Sequence, residues 1–240
     1  TINKLYDNPP IYDVYISGSD QIWNPDIYSS IKPYFLTFAP KNSKKISYAS
    51  SFGKNNLQPI VAKKYSKWLN DYYAISTRET TGVKIINDLG FKAECVLDPT
   101  LLLNKDEWKE VEKEQENIPQ NYLLIYELIT SKYLTNIAKF IAKVKGLKIV
   151  RICKDSYSED SDSTIINIIN AGPAEFVYLF SHANYIVTNS FHGTAFAINL
   201  GKDFNVNKDS LLAKEFEIFE SVINETPADT TNREEPTDSS

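Results

Sequence analysis

The chain has 240 residues and a formal net charge of -5, with 42% hydrophobic and 24% charged residues. These values are typical of a soluble globular protein with one large or two ordinary domains. The negative charge offers no basic surface for nucleic acid, and no apolar run approaches the roughly 20 residues that cross a bilayer. The opening Thr-Ile-Asn-Lys lacks the pattern of a secretory leader, so we expect a cytoplasmic protein.

Cysteine, methionine and arginine are all scarce. Cys95 and Cys153 lack a CxxC pattern or a histidine at ligand spacing, so we expect two reduced thiols, no metal site and no cofactor. Methionine is absent altogether, which suggests a fragment or a processed chain. Arg78 and Arg151 are the arginines that precede the polar tail, and the planar guanidinium suits carboxylate or phosphate. For Arg151 we prefer an incidental position.

In the first half of the chain, short apolar runs alternate with helical patterns. Residues 13–17 predict a strand that ends in Gly18-Ser19-Asp20, and Arg78 follows the end of a later strand. The further strands predicted in this half are 45–51, 73–76 and 94–97, and the helices are 57–72 and 80–89. Residues 103–120 are charged and helical in part, so we interpret them as a link between two domains.

The second half repeats this alternation. It predicts strands at 122–126, 147–152, 185–188 and 203–206, helices at 132–145, 173–181 and 194–200, and a polar loop at 155–164. We therefore expect an α/β fold of two Rossmann-like domains facing across a cleft, residues 1–118 and 119–225. A single doubly wound domain is the alternative. Residues 226–240 hold four acids and no large apolar residue, which predicts a disordered tail or a foreign appendage.

The most informative segment is the predicted strand 185–188 with the residues that follow it. The strand runs into Asn189-Ser190-Phe191-His192-Gly193, and a helix follows at once. In open α/β sheets, ligands bind beyond the carboxyl ends of the strands, where a helix N-terminus offers free N–H groups to anions. A histidine at this point can donate a proton or hold a phosphate, although an inert helix cap is the alternative.

Polar residues at other strand ends are further candidates. Arg78 is placed to bind an anion, with a surface ion pair to Glu79 or Asp88 as the alternative. Asp20 can accept a proton or bind a ligand, or it can simply cap a turn. Trp23 can stack on a ligand, although most tryptophans pack in the core. Asp98 and Pro99 are expected to shape the turn between the domains.

Five segments together resemble the polysaccharide pyruvyl transferase family. They are DVYISGSDQIWN from Asp13, ISYASSFG from Ile46, ISTRE from Ile75, VLDPTLL from Val96 and NYIVTNSFHG from Asn184. They occur in the order found in the family and span about residues 13 to 204. The resemblance implies a fold like that of glycosyltransferase B, with an incomplete N-terminal part that lacks the first strand. Some members carry an arginine where this chain has Ser190, and a closing helix is not visible after Lys208.

The resemblance also implies a reaction. Members of the polysaccharide pyruvyl transferase family transfer the enolpyruvyl unit of phosphoenolpyruvate to sugar hydroxyls, which forms a pyruvate ketal on surface polysaccharide. It implies donor binding by Arg78, Ser190, His192 and Gly193. Lys202, which follows the site helix, is a further donor-binding candidate for the cation that Ser190 does not supply. Gly18, Ser19, Asp20 and Trp23 would contact the acceptor, and His192 and Asp20 would be catalytic. The acceptor would be a lipid-linked or nucleotide-linked saccharide in the cytoplasm of a bacterium, so any membrane association is peripheral.

Two other functions fit the same residues. A glycosyltransferase of the same architecture would use a nucleotide sugar, with Glu175 as a candidate ribose ligand. A catalytically silent saccharide-binding protein would bind sugar without releasing phosphate.

Overall fold

The computed structural model describes residues 2–27, 31–153 and 162–206. Within them, two groups of parallel strands each carry helices, so the predicted α/β class is confirmed. The predicted tail at 226–240 and the rest of the chain after residue 206 lie outside the described residues, as does most of the predicted loop at 155–164.

The first half forms a parallel sheet that is interrupted in its middle. Its elements are α1 (Ile2–Asp7), β1 (Val14–Ser17), β2 (Lys44–Ser47), α2 (Pro59–Leu69), β3 (Tyr72–Ala74), β4 (Ser76–Thr77), α3 (Thr80–Asp88) and β5 (Glu94–Cys95), with a 3-10 turn at Lys32–Phe35. Strands β1, β2 and β3 pair in that order, and β4 pairs with β5. Single bridges from Ser50 to Asp20 and Thr77 continue the pairing toward the carboxyl edge.

The second half forms one continuous sheet. A 3-10 turn (Pro99–Leu101) and α4 (Lys105–Val111) precede it, and its own elements are β6 (Tyr122–Tyr126), α5 (Lys132–Lys145), β7 (Lys148–Ile152), β8 (Ile165–Ile168), α6 (Pro173–His182), β9 (Tyr185–Thr188), α7 (Phe191–Asn199) and β10 (Phe204–Val206). The strand order is β8-β7-β6-β9-β10, all parallel. This is the strand order of a Rossmann half. After β6, the chain adds β7 and β8 toward one edge of the sheet and then β9 and β10 toward the other, so the switch point lies between β6 and β9. Ligands of such sheets bind at the carboxyl side of that switch point.

Apolar strands explain why the second sheet is buried on both faces. The β6 sequence Tyr-Leu-Leu-Ile-Tyr is apolar throughout, and its alternate side chains enter two different cores. Leu124 packs with Phe180 and Ile186 on one face, whereas Leu123 packs with α5 on the other. A continuous apolar run is typical of a strand covered on both sides.

The predicted interdomain link is attached to the second half. Helix α4 packs against α6, and the Lys113 N–H donates to the Ala174 carbonyl at 3.1 Å. The Trp108 ring lies 5.0 Å from that of Phe196. Asn199 donates its side-chain amide to the carbonyls of Thr100 and Leu103. The boundary between residues 118 and 119 stays a prediction, since contacts with the second half begin well before it.

Two details differ from the sequence expectations. Strand β8 was not predicted, although Ile165 and its neighbours pair with β7 over four positions. Helix α7 begins at Phe191 rather than Thr194, because the Ser190 hydroxyl accepts a hydrogen bond from the Gly193 N–H at 3.3 Å and so caps the helix. His192 therefore lies in the first turn of the helix and not in a preceding loop.

Candidate functional site

The N-terminus of α7 lies at the switch point of the second sheet. Its cap residue, Ser190, follows β9, and the Ser190 N–H donates to the Thr188 hydroxyl at 3.0 Å. Asn189 accepts from the Leu128 N–H at 2.9 Å and donates to the Ile129 carbonyl at 2.8 Å, which holds the loop after β6 beside α7. The first turn of a helix held in this way offers backbone N–H groups and a positive dipole end to an anion.

Gly193 allows this helix to approach the sheet closely. A Cβ atom at this position would overlap the Thr188 hydroxyl and would lie 2.9 Å from a ring carbon of Tyr126. No larger residue fits without moving the first turn of α7. A contact of helix and strand this close is also one of the reasons for glycine in dinucleotide-binding turns. Gly193 is therefore required for the packing of α7 on the sheet, and its predicted part in donor binding stays a prediction.

The first sheet contributes the turn that follows β1. Gly18 has a φ of +145°, and a Cβ atom there would overlap the Tyr48 carbonyl, so this turn requires glycine. Asp20 has a φ of +65°, a conformation that is uncommon outside glycine, asparagine and aspartate. The Asp20 side chain is 55% exposed. Asp98, which contacts the same guanidinium of Arg78, has a buried side chain. Asp20 therefore presents a carboxylate to solvent in a conformation fixed by its neighbours.

Arg78 is buried within a group of carboxylates. Its guanidinium nitrogens lie 3.3 Å from Asp20 Oδ1, 3.4 Å from Asp98 Oδ2 and 3.9 Å from Glu79 Oε2. The guanidinium carbon also lies 4.2 Å from the centre of the Phe191 ring, which belongs to the second half. A cation stacked on an aromatic face is stabilised by the ring quadrupole. Of the predicted alternative, the ion pair with Glu79 is present, but it is buried and does not lie on the surface.

Asp98 joins the two halves, a role that the sequence analysis did not foresee. Its Oδ1 accepts from the Thr100 N–H at 3.0 Å and from the Thr100 hydroxyl at 2.9 Å. Its Oδ2 accepts from the Ser19 hydroxyl at 3.0 Å and faces both Arg78 and His192 Nε2, the latter at 3.7 Å. The sequence signal was available, because Asp98 follows a strand and precedes a proline.

The charge state of Asp98 follows from these contacts. Burial by itself would raise the pKa of its carboxyl, but the neighbouring His192 ring and the hydrogen bonds from Thr100 outweigh burial and hold the pKa well below its usual range. Asp98 is therefore an anion throughout the neutral range. A fixed anion beside Nε2 favours a proton on that nitrogen and so orients the imidazole ring. The His192 side chain is 29% exposed, so the ring is accessible.

Tyr126 completes the facing surfaces and was also missed by the sequence analysis. It ends β6 at the switch point. Burial raises the pKa of its hydroxyl, the hydrogen bond with Ser190 opposes that rise, and the charge of Asp20 adds to it. The pKa of the Tyr126 hydroxyl thus depends on Asp20 of the first half and on Ser190 of the second. The structure brings together Ser19, Asp20 and Arg78 from the first half with Ser190 and His192 from the second.

Two residues predicted for the site lie elsewhere. Trp23 has no exposed surface, and its ring stacks on Phe35 at 5.1 Å, so it has no free face for a sugar. Lys202 follows the far end of α7, about 13 Å along the axis from the first turn, and its electrostatic neighbours are Lys105 and Glu112. Both predictions are corrected, because Trp23 belongs to the core and Lys202 cannot supply a cation beside Ser190.

Glu175, the candidate ribose ligand, lies in the first turn of α6. The Glu175 carboxylate forms an ion pair with the Lys113 ammonium group at 2.8 Å, so it already has a cationic partner. Among residues 2–27, 31–153 and 162–206, no group of three histidine, cysteine or acidic side chains could hold a metal ion. Within the same residues, every helix is too short or too polar to cross a membrane.

Two Rossmann-like halves that meet at one group of polar residues define the glycosyltransferase B class of fold. The profile of the polysaccharide pyruvyl transferase family matches residues 2–206, and the chain belongs to that family. The resemblance drawn from five short motifs is thereby confirmed. No curated protein matches the chain.

Solved structures support the fold. The chain is similar to the UDP-GlcNAc 2-epimerase of Methanocaldococcus jannaschii, in complex with UDP-GlcNAc and UDP, at 14% identity and a TM-score of 0.53. It is also similar to a candidate UDP-N-acetylglucosamine 2-epimerase from Listeria monocytogenes, at 12% identity and a TM-score of 0.52. Both matches cover 90% of this chain but only 65% and 62% of the other chains. At such identities the likeness concerns the fold alone.

Proposed function

We propose that this protein transfers the enolpyruvyl unit of phosphoenolpyruvate to a saccharide and so forms a pyruvate ketal during surface polysaccharide synthesis. The observation that carries the proposal is the juxtaposition of His192, at the N-terminus of α7, with Asp98, Arg78 and Asp20 of the facing half. An acid, a cation and an exposed carboxylate are the groups that this chemistry needs. Family membership supports the same class of transferase.

The reaction moves two protons. The methylene carbon of phosphoenolpyruvate gains one, and the adjacent carbon forms bonds to two sugar oxygens as its bond to the phosphate oxygen breaks. The two sugar hydroxyls lose their protons. One of these accounts for the proton that converts the methylene carbon to a methyl group, and the other leaves with phosphate. His192 is the proton donor or phosphate ligand, and Asp20 is the base that accepts a proton from the hydroxyl.

Donor binding is assigned to the first turn of α7 and to Arg78. The helix N-terminus, Ser190 and Gly193 offer N–H groups and a hydroxyl to phosphate. Arg78 already faces three carboxylates. A donor anion can therefore bind its guanidinium only by competing with one of those carboxylates. Asp20 is the most exposed of the three, so we expect the donor to displace it from Arg78 and to free it as a base.

Acceptor binding is assigned to the turn Gly18-Ser19-Asp20. The acceptor is a lipid-linked or nucleotide-linked saccharide in the cytoplasm, and the reaction as proposed needs no metal or further cofactor. Asp98 is a positioning residue, since it orients His192 and Arg78 without reaching the substrate.

Thermal unfolding with phosphoenolpyruvate tests the donor site. A ligand at 100 times its dissociation constant stabilises a protein by about 2.7 kcal/mol, which gives a measurable rise in melting temperature. We expect the rise to be lost in Arg78→Ala and His192→Ala and retained in Lys202→Ala, the control at the far end of α7. A rise with UDP-sugars in place of phosphoenolpyruvate would instead establish the nucleotide-sugar glycosyltransferase. Saccharide binding that survives His192→Ala, without phosphate release, would establish the silent binding protein.

A further inference from the structure

Helix α5 carries an apolar face that does not contribute to the core. Its buried face consists of Leu134, Ala138 and Ala142, which pack on the second sheet. Tyr133, Phe140 and Val144 lie together on another face, because residues seven and eleven positions apart return to the same side of a helix at about 100° per residue. These three side chains are between 59% and 70% exposed.

Two further exposed apolar residues lie in the loop before α5, at the rim of the candidate site. Leu128 and Ile129, in the loop between β6 and α5, are 57% and 61% exposed. Asn189 binds the backbone of both residues, which fixes the loop beside the N-terminus of α7. An exposed apolar strip therefore runs from the edge of the cleft along α5. Contiguous patches of this kind mark interaction sites.

The charges along α5 indicate what the strip contacts. The helix contains Lys132, Lys139, Lys143 and Lys145 and no acidic residue, although the whole chain has a net charge of -5. Lys132, Lys139 and Lys143 follow one side of the apolar strip in helical projection. Lys139 also pairs with Asp162. A helix with an apolar face flanked by lysines is complementary to an anionic lipid surface.

We propose that the strip of Leu128, Ile129, Tyr133, Phe140 and Val144 docks on an anionic phospholipid membrane, with the lysines of α5 at the headgroups. A second copy that docked symmetrically through its own α5 would present the same lysines rather than acidic residues, so it lacks this complementarity. Docking along this strip places the cleft at the membrane surface, where it meets the saccharide of a lipid-linked acceptor. That last step rests on the proposed function, whereas the docking itself does not.

Vesicle sedimentation of the full chain tests the docking. We expect the protein to bind vesicles that contain phosphatidylglycerol and not vesicles of phosphatidylcholine alone. The double variant Phe140→Glu/Val144→Glu should weaken binding by on the order of tenfold or more, since it places two anions against an anionic surface. Ile60→Glu is the matched control, because Ile60 on α2 is 67% exposed in the other half. It should bind as the parent does.

Three results would overturn the proposal. The first is no binding to phosphatidylglycerol vesicles, and the second is equal loss in the Ile60→Glu control. The third is a parent dimer that the α5 variant converts to a monomer in light scattering, since a second copy would then occupy the strip. The vesicles contain neither phosphoenolpyruvate nor saccharide. A chain that is stabilised by phosphoenolpyruvate but ignores vesicles therefore contradicts the docking alone, and the converse contradicts the donor site alone.

Discussion

The carboxyl edge of the first sheet is organised by charged side chains, whereas that of the second is organised by backbone contacts and small residues. Arg78 binds Asp20 and Asp98 in the first half, and the sheet there is interrupted so that single bridges reach this edge. In the second half, five strands are continuous, and Ser190 and Gly193 fix the first turn of α7.

This difference suggests a division of labour. Charges that bind one another can exchange partners when an anionic ligand arrives, whereas a helix held by backbone packing stays in place. We therefore expect the second half to provide a rigid anion site and the first half to provide the groups that respond. Asp98 connects the two, since it belongs to the charged cluster and faces His192.

The largest effect is expected for His192. In His192→Gln, phosphate release from phosphoenolpyruvate, measured over a panel of hexose-containing acceptors, should fall by about 10²–10⁴-fold, the usual contribution of a general acid. The melting temperature should change little, because the ring is partly exposed. His182→Gln is the control, since His182 lies on the surface and pairs with Glu112 at 3.0 Å. Equal losses in both variants would refute a special role for His192.

Replacement of Asp98 tests the connection between the halves. Asp98→Asn removes the charge that faces Arg78 and His192 and should cost about 1–3 kcal/mol in the free energy of unfolding at pH 7. Chemical denaturation measures that loss. The control is Asp88→Asn, because Asp88 forms an exposed pair with Lys84 that contributes little.

The same variant has a defined pH dependence. The pKa of Asp98 is lower in the folded chain than the value near 4 of an unfolded aspartate. Its contribution is therefore complete above about pH 4 and is lost as the pH falls through the folded-state pKa. The difference in stability between parent and Asp98→Asn should narrow as the pH falls below about 4. A difference that grows as the pH falls below 4 would contradict the ionised state of Asp98.

An effect of similar size is expected for the backbone contact in the second half. Gly193→Ala forces a methyl group toward Thr188 and Tyr126 and should destabilise the protein by about 1–3 kcal/mol, as overpacking does. Gly172→Ala is the matched control at the start of α6, where a Cβ meets only the flexible Glu175 side chain. Denaturation curves distinguish the two. If both variants were as stable as the parent, α7 would not be fixed by close packing.

The sequence predicted local elements well wherever hydrophobic periodicity and capping agree. The predicted bounds of helix α5 are the observed ones, and in the structure Ser131 caps its N-terminus and Gly146 its C-terminus. Strands β6 and β9 were predicted with their observed bounds for a similar reason, since each is an apolar run between polar turns. Strand β8 was missed because its pattern stands beside a polar segment, and its place is decided by pairing with β7.

For the site, the sequence by itself determined which residues stand at strand ends, and so singled out His192, Arg78 and Asp20 as candidates. It also established the family through the order of five motifs. Only the tertiary structure decided which of those residues meet. In the structure Trp23 lies in the core, and Lys202 lies beyond the C-terminal end of α7. Asp98 and His192, which are 94 positions apart in the chain, lie side by side. Strand periodicity fixes which end of an element a residue occupies, but contacts across a cleft depend on how two separately folded sheets face each other.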